Sequence, residues 1–145
     1  MADILPAEGA FENGVFYFPV RVYYEDTDAG GIVYYANYLK FAERARSEFL
    51  RTLGINQQKI LADQQAGFVV RSCHIEYLKS AVLDDALTVS CEVVEKGSAS
   101  AVIKQQICRE DEVLASVEVK LIFLSLETHR PTRICAEISS KMPTK

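Results

Sequence analysis

One long helical pattern, with no second of similar length to pack against, constrains this chain more than any other feature. Residues 37–54 read NYLKFAERARSEFLRTLG, and Tyr38, Phe41, Ala42, Ala45, Phe49, Leu50 and Leu53 recur at gaps dominated by three and four. That spacing is the α-helical period, so these side chains form one stripe. Lys40, Glu43, Arg44, Glu48 and Arg51 fall mostly on the opposite side, and Gly54 is placed to end the helix. A lone amphipathic helix has to bury its stripe against a sheet.

The rest of the chain supplies that sheet. Residues 68–79 alternate Val69, Arg71, Cys73, Ile75 and Tyr77 against Val70, Ser72, His74, Glu76 and Leu78. Residues 87–95 place Leu87, Val89, Cys91 and Val93 on one face. Lys96-Gly97-Ser98 turns the chain into 101–109, and Glu110-Asp111-Glu112 turns it into 113–126. In that last segment Val113, Ala115, Val117, Val119, Leu121 and Phe123 are expected to share a face. Ahead of the helix, FYFPVRVYYE (16–25) reads as a strand, with Pro19 marking an edge or an entry bend. Short loops between long alternating segments predict an antiparallel meander. The expected class is therefore α+β: an antiparallel sheet of about five strands wrapped around one long central helix. A shorter helix within 55–67, closed by Gly67, and another near Ala136–Lys141 complete the elements. The expected organisation is a flexible leader over 1–14, one domain over 15–127 and a tail over 128–145.

Composition narrows the function classes. The 145 residues carry a net charge of −4, so nothing in the charge suggests a general nucleic-acid binder. No apolar run approaches the roughly 20 residues that span a bilayer, and the amino terminus has no basic segment of the secretory kind. Cys73, Cys91, Cys108 and Cys135 are far apart and form no metal-ligand spacing, so no metal is expected and free thiols in the cytoplasm are the plain reading. No nucleophile elbow or phosphate loop is present. His74 sits in a strand pattern and His129 in the tail.

The chemistry is expected in residues 23–41, YYEDTDAGGIVYYANYLKF. Asp26 and Asp28 stand in a glycine-containing turn between a strand and the main helix. The first N–H groups of a helix lack intrahelical partners and can stabilise an oxyanion. A carboxylate just upstream can face a carbonyl carbon whose oxygen those donors polarise, as ester or thioester hydrolysis requires. On spacing alone, Asp-x-Asp beside glycine more often describes an ordinary turn whose carboxylates cap backbone donors.

The whole string is more specific. VRVYYEDTDAGGIVYYANYLKFAERARSEFLR (20–51) resembles the first strand and helix of the hot-dog acyl-CoA thioesterases of the YbgC type, which are related to 4-hydroxybenzoyl-CoA thioesterase. The motif D-x-x-G-[IV]-V-[YF]-x-x-N-Y is matched by Asp28, Gly31, Ile32, Val33, Tyr34, Asn37 and Tyr38. The resemblance implies a hot-dog fold and hydrolysis of acyl-CoA thioesters, with no cofactor. It places Asp28 on the catalytic aspartate and Tyr35 on the oxyanion-binding backbone N–H. It marks Gly31, Val33 and Tyr34 as substrate-binding positions. Many YbgC-type enzymes carry His where this chain has Tyr35. The aryl-CoA relative carries Tyr, so a backbone role survives the change while an acid–base role for this side chain does not. Lys79, Arg130, Arg133 and Lys141 are basic residues that can meet phosphate or simply face solvent.

The same resemblance implies a homodimer or homotetramer with a site at the dimer interface, part of the acyl pocket coming from the other protomer's 68–72. Acyl carrier protein and the inner-membrane face are further associations of this type. The alternative reading is a non-catalytic acyl-CoA or acyl-carrier-protein binding module associated with the cell envelope. A hot-dog dehydratase is disfavoured because no His lies within 35–54.

Overall fold

The stripe read from the sequence is the stripe that is buried. In the computed structural model, which describes residues 2–144, α1 spans Asn37–Thr52. Its buried side chains are Tyr38, Phe41, Ala42, Ala45, Phe49 and Leu50, with Leu53 packed against the core from just beyond the last turn. Removing a large apolar side chain such as Phe41, Phe49 or Leu50 from water stabilises the fold by about 1.5–3 kcal/mol each.

The sheet that covers α1 has six antiparallel strands: β1 (Ala10–Glu12), β2 (Val15–Arg21), β3 (Ala66–Tyr77), β4 (Ala86–Lys96), β5 (Ser100–Arg109) and β6 (Glu112–Ser125). Their spatial order is β1-β2-β4-β5-β6-β3, so the chain leaves the sheet after β2, forms α1 and returns at the far edge. Helix α2 (Gln57–Gln64) bridges α1 to β3, and α3 (Ala136–Lys141) follows the sheet. The antiparallel hot-dog arrangement thus stands, with one strand more than the five expected.

The extra strand lies in the segment read as leader. Ala10–Glu12 pair with Val15–Tyr17 across Asn13-Gly14, whose φ values of 51° and 82° are those of a primed hairpin turn. Pro19 pairs with Thr88 on β2 beyond the reach of β1, an edge position where a missing N–H is harmless. β2 stops at Arg21 rather than continuing to residue 25, because Tyr24–Asp26 coil into a 3-10 turn.

Two bulges correct the predicted faces. Val70 pairs with Leu121 and Ser72 with Lys120, leaving Arg71 as an extra residue. One inserted residue reverses the alternation, so Phe68 and Val70 share the inner face with Cys73, Ile75 and Tyr77, and Val69 turns outward. On β6, Ala115 pairs with Ile107 and Val113 with Cys108, so Leu114 is the extra residue. Leu114 is fully buried and Val113 is not. The carbonyl of Leu114 accepts the amides of Leu78 (2.8 Å) and Lys79 (3.1 Å), fixing the chain where it leaves β3.

Helix α2 is capped by the Asn56 side chain, which accepts the Lys59 amide at 3.0 Å, and it ends at left-handed Gln65 rather than at Gly67. The segment read as tail contributes Ile134, Ile138 and Met142 to the core, and Lys96 Nζ donates to the Met142 carbonyl at 2.7 Å.

Among the described residues one polar side chain lies fully inside. Gln105 on β5 donates to the Ala42 carbonyl (2.9 Å) and to Cys91 Sγ (3.1 Å), and its Oε1 accepts from Arg46 Nη1 (3.0 Å). Burial lowers the pKa of the Arg46 guanidinium and pushes the Cys91 thiol up to about 12. This network fixes the register of α1 against the central strands, and so the place where the helix begins.

Candidate active site

The turn before α1 is built almost wholly from its own backbone and its two aspartates. Asp26 is buried; its Oδ2 accepts the Tyr23 amide (2.8 Å) and its carbonyl accepts both Tyr34 N (2.9 Å) and Asn37 Nδ2 (2.9 Å). It is therefore a structural clamp across the turn. Asp28 behaves differently. Its carboxylate is exposed in the single chain, and Oδ1 accepts the Gly30 amide at 2.8 Å. Its amide donates to Ile32 O (2.9 Å) and its carbonyl accepts from Gly31 N (3.0 Å). Gly31 holds φ +80°, which a side chain would oppose. The Asp28 carboxylate is thus aimed by a closed turn and engaged on one oxygen only by a backbone donor.

The head of α1 supplies the complementary group. The Tyr34 carbonyl accepts the Asn37 amide at 2.8 Å. Because a trans peptide sets its N–H opposite its C=O, the Tyr35 amide points away from the helix. Among the described residues that amide meets no acceptor. A hydrogen bond on the carbonyl of the same peptide polarises the unit and strengthens its N–H as a donor.

Asp28 and Tyr35 line one cleft of about 270 Å³, together with Ile32, Val33, Tyr38, Tyr77, Leu78, Lys79 and Ser80. Val33 is buried, bonded through its amide to Ala81 O (2.9 Å), and forms apolar wall. Gly31 and Tyr34 are not cleft residues: Gly31 shapes the turn, and Tyr34 lays its ring 4.9 Å from that of Tyr35. The Tyr35 phenol, first by hydrogen bonding and then by charge, holds the Tyr34 phenol above its ordinary pKa. Larger hollows exist elsewhere, one of about 440 Å³ between residues 6–7, β2 and the outer face of α1, but it lacks this pairing of carboxylate and amide.

A charge network braces the back wall. Lys79 Nζ and Arg109 Nη2 each reach Glu112 at 2.6 Å, and Arg109 Nη1 reaches Asp85 at 2.8 Å and Ser80 O at 3.3 Å. Lys79, then Arg109, hold the Glu112 carboxyl below its ordinary range. Burial works against ionisation of Asp85, but the Val82 amide and Arg109 outweigh it and lower its pKa. Of the four basic residues considered from sequence, only Lys79 lines the cleft. Neither histidine does; His74 lies 3.3 Å from Glu76 on the exposed face. Among the described residues no group of His, Cys, Asp and Glu could hold a metal ion, and no helix is long and apolar enough to cross a membrane.

Tyr77 and Ser80 line the cleft without a role read from sequence, while Tyr38 and Lys79 were noted there only as a motif position and a basic residue. Tyr38 carried a signal, since its hydroxyl is the one polar group in the buried stripe; it accepts the Ala81 amide at 2.9 Å. Tyr77 carried none, as it stands 42 residues from the carbonyl it binds.

Comparison with known proteins identifies the family and the fold. Residues 30–116 match the family model described as thioesterase superfamily. An acyl-CoA thioesterase YbgC of Haemophilus influenzae is 46% identical over 129 residues, covering 89% of this chain and 94% of the relative. One from Helicobacter pylori is 38% identical, covering 79% and 90%. A probable thioesterase from Bartonella henselae superposes with a TM-score of 0.79 at 33% identity, covering 83% of this chain and 99% of that one. A 4-hydroxybenzoyl CoA thioesterase variant crystallised with 4-hydroxybenzoyl CoA gives 0.83 at 17% identity, covering 90% and 99%, a likeness of fold alone. With fold, motif and relatives in agreement, this chain belongs to the thioesterase superfamily.

Proposed function

We propose that this protein hydrolyses acyl-coenzyme A thioesters in the cleft at the head of α1, with Asp28 as the reacting carboxylate and the Tyr35 amide as the oxyanion donor. The observation that carries the reading is the pairing, in one cleft, of a carboxylate aimed by its own turn with a helix-head amide that meets no acceptor among the described residues. A thioester carbonyl oxygen placed on that amide gains stabilisation as negative charge develops on it. Asp28 then has two routes. As a base it takes a proton from water while the hydroxide oxygen bonds to the carbonyl carbon and the C–S bond breaks. As a nucleophile it bonds to that carbon itself, expels the thiolate, and leaves an anhydride for water to open. Val33 supplies apolar wall for the acyl group, Gly31 shapes the turn, and Tyr34 packs its ring beside that of Tyr35.

The same proposal includes a homodimer, doubled or not to a tetramer, with the partner's inner β3 face closing the cleft. What supports it is that β3 ends the sheet and leaves Val69 and Val70 40% and 50% exposed, an edge that isolated proteins seldom leave open. Four free thiols and net negative charge fit the cytoplasm, with acyl carrier protein and the inner-membrane face as its further associations.

The test is hydrolysis across short aliphatic, long aliphatic and aryl CoA esters, with Asp28→Asn alongside. Turnover is expected to fall by about 1,000-fold or more in the variant, at unchanged folding. Retained activity removes Asp28 from the mechanism. Binding without turnover of any ester makes the protein an acyl-binding module. In a single turnover in ¹⁸O-water, label found in Asp28 establishes the nucleophile route, since it enters only when water opens an anhydride at the Asp28 carbonyl. A monomer by light scattering overturns the dimer.

A further inference from the structure

The amide of Tyr35 is useful only if the peptides around it are held still, and the helix does not do this alone. Leu39 N donates to Ala36 O (3.2 Å), one residue short of the α-helical partner, so the Tyr35 carbonyl is left out of the helix ladder. The hydroxyl of Tyr77, at the end of β3, donates to that carbonyl at 3.0 Å. We propose that Tyr77 is a positioning residue for the thioesterase reaction, whose hydroxyl locks the Tyr35 peptide and thereby aims the oxyanion-binding amide into the cleft.

The bracketing is two-sided. On the amino side of the Tyr35 Cα, the 34–35 peptide is held by Asn37 N on the Tyr34 carbonyl; on the carboxyl side, the 35–36 peptide is held by Tyr77. Losing either bond frees a dihedral at Tyr35 and lets the unpartnered N–H swing. The Tyr77 ring is itself wedged, edge-on to Tyr35 (centroids 6.1 Å, 86°) and to Tyr38 (5.5 Å, 70°). Tyr38 ties the same cluster to the Ala81 loop, whose carbonyl holds Val33. The brace therefore joins β3, the helix head and the back wall of the cleft. Burial, then Tyr35, raises the Tyr77 phenol above its ordinary pKa, so it remains a donor throughout the neutral range.

This inference rests on the proposed oxyanion role of Tyr35, and its test keeps the two apart. Tyr77→Phe keeps the ring contacts and deletes only the donor. Its kcat is expected to fall about tenfold or more with KM within about twofold, because a misaimed oxyanion donor is missed chiefly in the transition state. The second readout does not depend on turnover or on Asp28. A ¹³C-carbonyl ketone analogue of butyryl-CoA, with methylene in place of sulfur, is bound to the parent protein and to Tyr77→Phe, and its carbonyl stretch is read by infrared difference. The stretch is expected at lower frequency in the parent, and nearer the free value in the variant. Equal frequencies and equal kcat overturn the role of Tyr77. A raised KM at unchanged kcat makes Tyr77 a binding residue instead. A carbonyl that is not shifted in the parent overturns the oxyanion reading of Tyr35 and the Tyr77 role with it.

Discussion

Replacing Gln105 by leucine should reveal how α1 is held in the sheet. Gln105 is fully buried, accepts from Arg46 Nη1 at 3.0 Å and donates to the Ala42 carbonyl at 2.9 Å. Leucine fills similar volume but meets neither group. The lost bond to a charged partner is worth about 1.5–3 kcal/mol and the neutral one about 1 kcal/mol, with some return from the added apolar surface. The net expectation is a loss of about 2–4 kcal/mol, much of it the cost of leaving a half-buried guanidinium without its acceptor. In a chain of this size that lowers Tm by roughly 6–12 °C. Arg46→Leu alone leaves Gln105 Oε1 buried without a donor and should cost about 1–3 kcal/mol. The double variant removes both partners, so its cost should fall short of the sum by at least about 1 kcal/mol. The assay is urea unfolding of all four proteins at one protein concentration, since assembly would otherwise shift the midpoints. Additive costs, or a neutral Gln105→Leu, would refute the reasoning and show that the two groups are solvated or independent.

Two further perturbations test the site's surroundings. Gly31→Ala introduces a methyl into open space but at φ +80°, so stability should fall by only about 1 kcal/mol while kcat falls more steeply through the Asp28 turn; unchanged kcat in steady-state assay would uncouple the turn from the chemistry. Asp85 and Glu112 are held below their ordinary values of 3.8 and 4.5, so their stabilisation is complete above about pH 4.5 and is lost as pH falls through the lowered folded values; Arg109→Gln should therefore flatten the acid limb of Tm against pH, and an unchanged limb would refute the network's role.

The local features were legible wherever one short-range rule governed. The α1 stripe follows from period alone, and it is buried as read. The turn residues and the helix start that carry Asp28 and Tyr35 lie within a dozen positions, so their meeting needs no distant partner. A signal was present but passed over at Asn13-Gly14, where an ordinary hairpin dipeptide sits among residues otherwise without pattern. The bulges at Arg71 and Leu114 could not be read, because each depends on which residue of a neighbouring strand is bonded opposite. A strict alternation assigns Val69 and Val113 inward until that pairing is known.

Sequence by itself determined one wrapped helix, an antiparallel sheet and the turn that holds Asp28, because periodicity and turn chemistry act over a few residues; the role proposed for Asp28 came from the family motif. Tertiary structure decided the rest of the cleft. Tyr77 reaches the Tyr35 carbonyl from 42 positions away, Lys79 and Arg109 converge on Glu112, and Gln105 finds Ala42 across 63. These contacts exist only after strand register has brought distant side chains within bonding distance, and register is a property of the assembled sheet rather than of any one segment.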